Sequence, residues 1–145
     1  MKNKSWAGFS AGIVFTLGMA AHMPGFGLDA SEGVTATVLL KSDSSWEGTK
    51  LAYPEGQAEV TGMVIEVAPG AETGWHLHTV PSFAYVLEGN LEVRLKNGDT
   101  KKLSPGEVLS EVVNTPHNGR NVGDVPVKLI VFYAGATDST LTEAQ

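Results

Sequence analysis

The stretch Gly70-Ala71-Glu72-Thr73-Gly74-Trp75-His76-Leu77-His78-Thr79-Val80-Pro81-Ser82-Phe83-Ala84-Tyr85-Val86-Leu87-Glu88-Gly89 decides the reading of this chain. His76 and His78 are separated by one residue, and on an extended strand such residues point to the same side. Two imidazoles on one side can grip one metal ion, for which neutral imidazole is a common ligand. The chain has 4 histidines. His22 falls in a leader, so His76, His78 and His117 are those left for the mature protein. A fold that returns His117 to this strand gathers all three at one point.

Outward from that stretch, turns and strands alternate. Ala58–Ala68 is a long apolar and β-branched run ended by Pro69-Gly70. Trp75–His78 and Ser82–Leu87 flank Pro81. After Glu88-Gly89-Asn90, the residues Leu91, Val93 and Leu95 alternate with Glu92, Arg94 and Lys96, the pattern of a half-buried strand. Asn97-Gly98 predicts a type I′ hairpin turn into Thr100–Leu103. Pro105-Gly106 turns the chain into Glu107–Val113, a loop hands over His117, and Val127–Ala134 closes the sheet. Upstream, Val34–Leu40 reads as a strand, and Lys41–Gln57 as a loop with a short strand near Lys50–Ala52. The polar tail from Gly135 is expected to be loose. No long window carries an apolar period of 3.6, so the fold class is all-β, a sandwich or barrel.

Composition bounds the rest. The chain has 145 residues, enough for one domain, with 42% hydrophobic and 18% charged residues. Its net charge of −6 becomes about −7 without Lys2, Lys4 and Asp29, and no basic run exists. Nucleic acid and anionic membrane surfaces are therefore poor partners. The absence of cysteine excludes disulfides, thiolate zinc sites and a cysteine nucleophile. Residues 1–30 read as a signal peptide, with an uncleaved N-terminal anchor as the alternative: Lys2 and Lys4 precede an uncharged run from Trp6 to Ala21 that is short for a membrane span. The folded domain, residues 31–145, is then exported, and periplasmic in a Gram-negative bacterium, with no membrane contact after the leader is removed.

These residues resemble the cupin superfamily, single-domain jelly-roll barrels built of two sheets. Gly70, His76-Leu77-His78 and Gly89 fall in register with the first cupin motif, and Pro105-Gly106, His117 and Asn121 with the second. The resemblance spans roughly residues 58–134. It implies a metal site at His76, His78 and His117 holding one divalent transition ion among iron, manganese, zinc, copper and nickel. It also implies a small-molecule ligand and pairing into a homodimer. Ser82 stands where the family usually has a metal-binding glutamate, so the carried-over set is three histidines without a carboxylate. Some cupin dioxygenases use such a set. The implied function is a metal-dependent enzyme, a dioxygenase or an isomerase- or lyase-like cupin, with Ser82 leaving an open coordination position. The alternative is an exported cupin that holds a metal or small ligand without turnover.

Glu111, the one charge in Val108–Val113, could supply a carboxylate, but alternation does not settle which way it faces. Tyr85, Phe83 and Leu87 alternate away from Ser82 and read as structural, whereas Ala84 and Val86 would wall the cavity. Met63, Phe132 and Tyr133 read as core. Glu72 sits at a turn and reads as solvated. Asn121 reads as a residue that fixes its own loop through backbone hydrogen bonds.

Overall fold

Nine strands carry the fold in a computed structural model, which is described for residues 33–145. They are β1 (Ala58–Val67), β2 (His76–His78), β3 (Ser82–Glu88), β4 (Leu91–Leu95), β5 (Thr100–Leu103), β6 (Val108–Ser110), β7 (His117–Asn121), β8 (Val127–Ala136) and β9 (Thr142–Ala144). One sheet has the order β1-β8-β3-β6, the other β5-β4-β7-β2-β9. All pairings between these strands are antiparallel. The core lies between the sheets, where Ala84 and Val86 of β3 meet Leu129, Val131 and Tyr133 of β8 and Leu91 and Val93 of β4. Alternation places these side chains: a shift of one residue in register would turn each set outward. No helix of the described residues is long and apolar enough to cross a membrane. The leader expected at residues 1–30 lies outside the described residues.

The turns do the rest. Gly89 joins β3 to β4 at φ +76°, and a Cβ there would lie 2.6 Å from the Pro126 carbonyl oxygen. The Asn97-Gly98 hairpin forms between β4 and β5, but not as a type I′ turn. Only Gly98 has positive φ, and its N–H bonds the Leu95 carbonyl at 3.1 Å. The Leu95 N–H bonds Asp99 O at 2.9 Å. The loop is a three-residue turn with glycine at the bulge position, which needs one left-handed residue rather than two.

Several expectations are corrected. Val34–Leu40 forms no strand, and Val38, Leu39 and Leu40 are exposed. β-Branched sequence alone cannot make a strand without an edge to pair with. Near Lys50 there is one bridge, Ser44 to Lys50, in place of a short strand. The tail is not loose: β9 pairs with β2 through His76↔Ala144, Leu77↔Glu143 and His78↔Thr142. That edge of the histidine strand had backbone groups to satisfy. Met63 and Phe132 are 42% and 51% exposed, on sheet positions that face away from the core, whereas Tyr133 is buried as expected.

Candidate metal centre

The histidines converge because β2 and β7 are neighbours in register. His76 is the Cα partner of His117. The ligand nitrogens of His76, His78 and His117 lie within 4.8 Å of one another, and the ring centroids are 4.4 to 5.0 Å apart. Each ring is turned by a bond on its Nδ1 atom. His76 Nδ1–H donates to the Gly74 carbonyl at 2.8 Å, and His117 Nδ1–H to the Thr115 carbonyl at 2.9 Å. His78 Nδ1 bonds the Thr142 hydroxyl at 3.1 Å. All three rings therefore aim Nε2 at a common centre, the arrangement that outer hydrogen bonds impose on metal-ligating histidines. Tyr133 packs its ring edge-on against His78, with centroids 5.2 Å apart. Burial holds its hydroxyl above the ordinary tyrosine range.

Glu111 lies against two of the three histidines. The β6 strand stops at Ser110, alternation ends with it, and Leu109 through Val112 are all buried. The Glu111 N–H donates to the Ser82 carbonyl at 3.0 Å. Its Oε2 accepts from His78 Nε2–H at 2.8 Å and lies 3.4 Å from His117 Nε2. The latter approach is off line for a hydrogen bond, so the buried His117 Nε2 is left without a partner. Ser82 is also buried, its hydroxyl unpartnered, and it is not among the residues lining the cavity. Ala84 and Val86 pack in the core behind it rather than walling the cavity.

A cavity of about 40 Å³ is lined by the three histidines, Glu111, Thr73 and Gly119, and otherwise by Ile65, Leu91, Val93, Leu129 and Val131. It has room for an ion and one or two waters. Beside it opens a cleft of about 490 Å³ that shares Ile65, Thr73 and His76 with the cavity and continues past Trp75 and Glu72. His76 stands between the two. Glu72 is tied down rather than freely solvated. It accepts from Arg94 at 2.8 and 2.9 Å and from Asn118 Nδ2 at 2.7 Å. Those contacts, Asn118 foremost, hold its carboxyl below the ordinary range. Asn121 acts as expected, donating to the Val67 and Val125 carbonyls and accepting from Gly123 N–H. Phe83, Tyr85 and Leu87 point away from the cavity. Thr142 and the carbonyls of Gly74 and Thr115 were invisible in the sequence. Thr142 comes from 64 positions away, and no local pattern marks it.

The electrostatics are coupled. Burial alone would raise the Glu111 carboxyl, but the His117 and His78 imidazoles outweigh it and bring it down to about 2. Burial alone would lower His117, yet the Glu111 carboxylate and the Thr115 carbonyl raise it. Burial and repulsion from the other two rings lower His76, so it stays neutral into more acidic solution, despite the Gly74 carbonyl. The lowered Glu111 stabilises the fold above its ordinary 4.5, and this is lost as pH falls through about 2. The raised His117 stabilises the fold below its ordinary 6.5, and this is lost as pH rises through its folded value. For chelator-treated protein, the melting-temperature gap between native and Glu111→Gln should thus peak at about pH 5.5 and narrow on both sides. A gap that grows steadily toward pH 9 would contradict the pairing.

A small double-sheet β barrel with three imidazoles and a carboxylate around a cavity between its sheets is the class that this fold and site define. The family model of the cupin domain matches residues 63–133, and the chain belongs to the cupin superfamily. No curated protein matches the sequence. Among solved structures, the DMSP lyase DddQ from Ruegeria pomeroyi is 20% identical, with a TM-score of 0.52 over 59% of this chain and 43% of its own. The oxalate decarboxylase of Lactobacillus farciminis, solved with formate, is 19% identical, with a TM-score of 0.52 over 61% of this chain and 27% of its own. An uncharacterized double-stranded β-helix protein from Klebsiella pneumoniae is 20% identical, with a TM-score of 0.50 over 64% of this chain and 90% of its own. At these identities the likeness is one of fold. The chain spans less than half the length of the lyase and of the decarboxylase.

Proposed function

We propose that this protein is an exported, metal-dependent cupin enzyme acting on a small anionic molecule. One observation carries the reading: three Nδ1 contacts turn three imidazoles so that their Nε2 atoms converge on one apolar-walled cavity. Nothing in packing demands three histidines there, and the buried Nε2 of His117 has no protein partner. A divalent ion held by His76, His78 and His117 would supply Lewis-acid chemistry to a chelating oxygen. The chain's own contribution is to orient the ligands, exclude water with Ile65, Leu129 and Val131, and admit substrate past His76 from the outer cleft. The cavity limits the reacting portion to a few heavy atoms, with any larger remainder in the cleft beside Trp75. That the DMSP lyase and the oxalate decarboxylase share the fold supports small carboxylates as the first substrates to try. Dioxygenase chemistry is the other arm, and a metal- or ligand-binding cupin without turnover is the alternative.

Protein loaded separately with manganese, iron(II) and zinc, then mixed with a panel of small carboxylates in air, should give product with at least one pair. Oxygen uptake separates a dioxygenase from a lyase or decarboxylase. Metal retention with no product across the panel would favour the non-catalytic reading.

A further inference from the structure

The family's usual carboxylate is missing from position 82, yet a carboxylate reaches the centre from elsewhere. We propose that Glu111 is the fourth ligand of the metal, supplied by the segment after β6 in place of the residue at the start of β3. This rests on the metal-centre reading above. Backbone pairing explains the exchange: the Glu111 N–H is bonded to the Ser82 carbonyl, so the two positions sit side by side at the same height in the sheet. Ser82 has only a hydroxyl to offer, and it is not among the cavity-lining residues. Glu111 has the reach and lines the cavity.

The distances suit ligation. Nitrogen and oxygen ligands sit about 2.0–2.2 Å from such ions, so two at right angles are about 3 Å apart. Glu111 Oε2 is 2.8 Å from one Nε2 and 3.4 Å from another.

A role behind the histidines is excluded by which atom Glu111 faces. A carboxylate that merely orients a metal-bound histidine contacts the nitrogen that is not the ligand. Here the Nδ1 atoms are already taken by Gly74, Thr142 and Thr115, and Glu111 faces the Nε2 atoms. An ion at the Nε2 atoms displaces the His78 Nε2 proton that Glu111 now accepts. The carboxylate of Glu111, a residue only 8% exposed, must then bind the ion or remain buried without a partner, which is costly. Ligation also lowers the net charge of the centre from +2 to +1. It shifts preference toward ions that favour oxygen, manganese and iron(II), over copper.

The test is metal titration of chelator-treated full-length protein with Mn(II) and Cu(II), alongside the visible spectrum of the Co(II) form. Glu111→Gln should weaken Mn(II) binding at least about a hundredfold, the upper end of what outer-shell changes do. It should weaken Cu(II) binding less than about tenfold, and should alter the Co(II) spectrum. Glu111→Asp, which keeps the carboxylate, should retain most Mn(II) affinity. Equal loss for both metals with an unchanged Co(II) spectrum, or equal loss in Asp and Gln variants, would overturn ligation while leaving the three-histidine site intact. Native protein that binds none of the three ions would sink the metal-centre reading itself.

Discussion

Purified native protein should carry close to one transition-metal ion per chain, and the His76→Ala, His117→Ala double variant should carry none. The expectation follows from geometry and magnitude together. A four-ligand structural zinc site binds with about 10–16 kcal/mol, so an even share is about 3 kcal/mol per ligand, or about a hundredfold in affinity. Losing two of the converging nitrogens should cost about ten-thousandfold, enough to empty the site during purification. The pair is chosen because its members stand differently. His76 is half-buried between cavity and cleft, whereas His117 is fully buried on the neighbouring strand. The single His76→Ala variant separates metal loss from misfolding, since it opens toward the cleft. Equal metal in native and double-variant protein, by elemental analysis, would remove the site assignment.

Gly89→Ala should be the most damaging single-methyl change outside the site. Its φ of +76° costs a side chain about 1–2 kcal/mol. The new Cβ would also press on backbone, 2.6 Å from the Pro126 oxygen and 2.8 Å from the Val127 Cα. Overpacking of this kind costs about 1–3 kcal/mol more. The sum, about 3 kcal/mol, should lower the melting temperature by roughly 10 °C in a domain of this size. Gly98→Ala is the control. It too has positive φ, but its Cβ would meet nothing within 4 Å, so only the conformational cost applies. Equal melting temperatures for the two variants would show that the approach of the β3–β4 turn to Pro126 does not matter.

Gly89 was legible as a turn from its place between two apolar runs, and the backbone behind it was not. The same division runs through the site. His76 and His78 share a side because residues two apart on a strand must. The alternation of Leu91, Val93 and Leu95 placed a half-buried strand correctly. Where alternation ended, so did the reading. Glu111 follows the last residue of β6, and its direction is set by the bond to Ser82 rather than by parity. Met63 and Phe132 looked like core because they are apolar, but an apolar residue on an outward sheet position stays outside.

By itself, then, the chain order determined the strands from Ala58 to Ala134 in outline, the places of the turns between them and the identity of the three histidines, because side-chain alternation and turn-forming residues are properties of short segments. Tertiary structure decided the rest: the pairing of His76 with His117, the inward carboxylate of Glu111, the hold of Thr142 on His78, and the tail as a ninth strand. Those contacts join residues 33 to 64 positions apart, or leave a strand to seek an open edge elsewhere. Long-range pairing obeys the geometry of the finished sheet, which no short window of sequence contains.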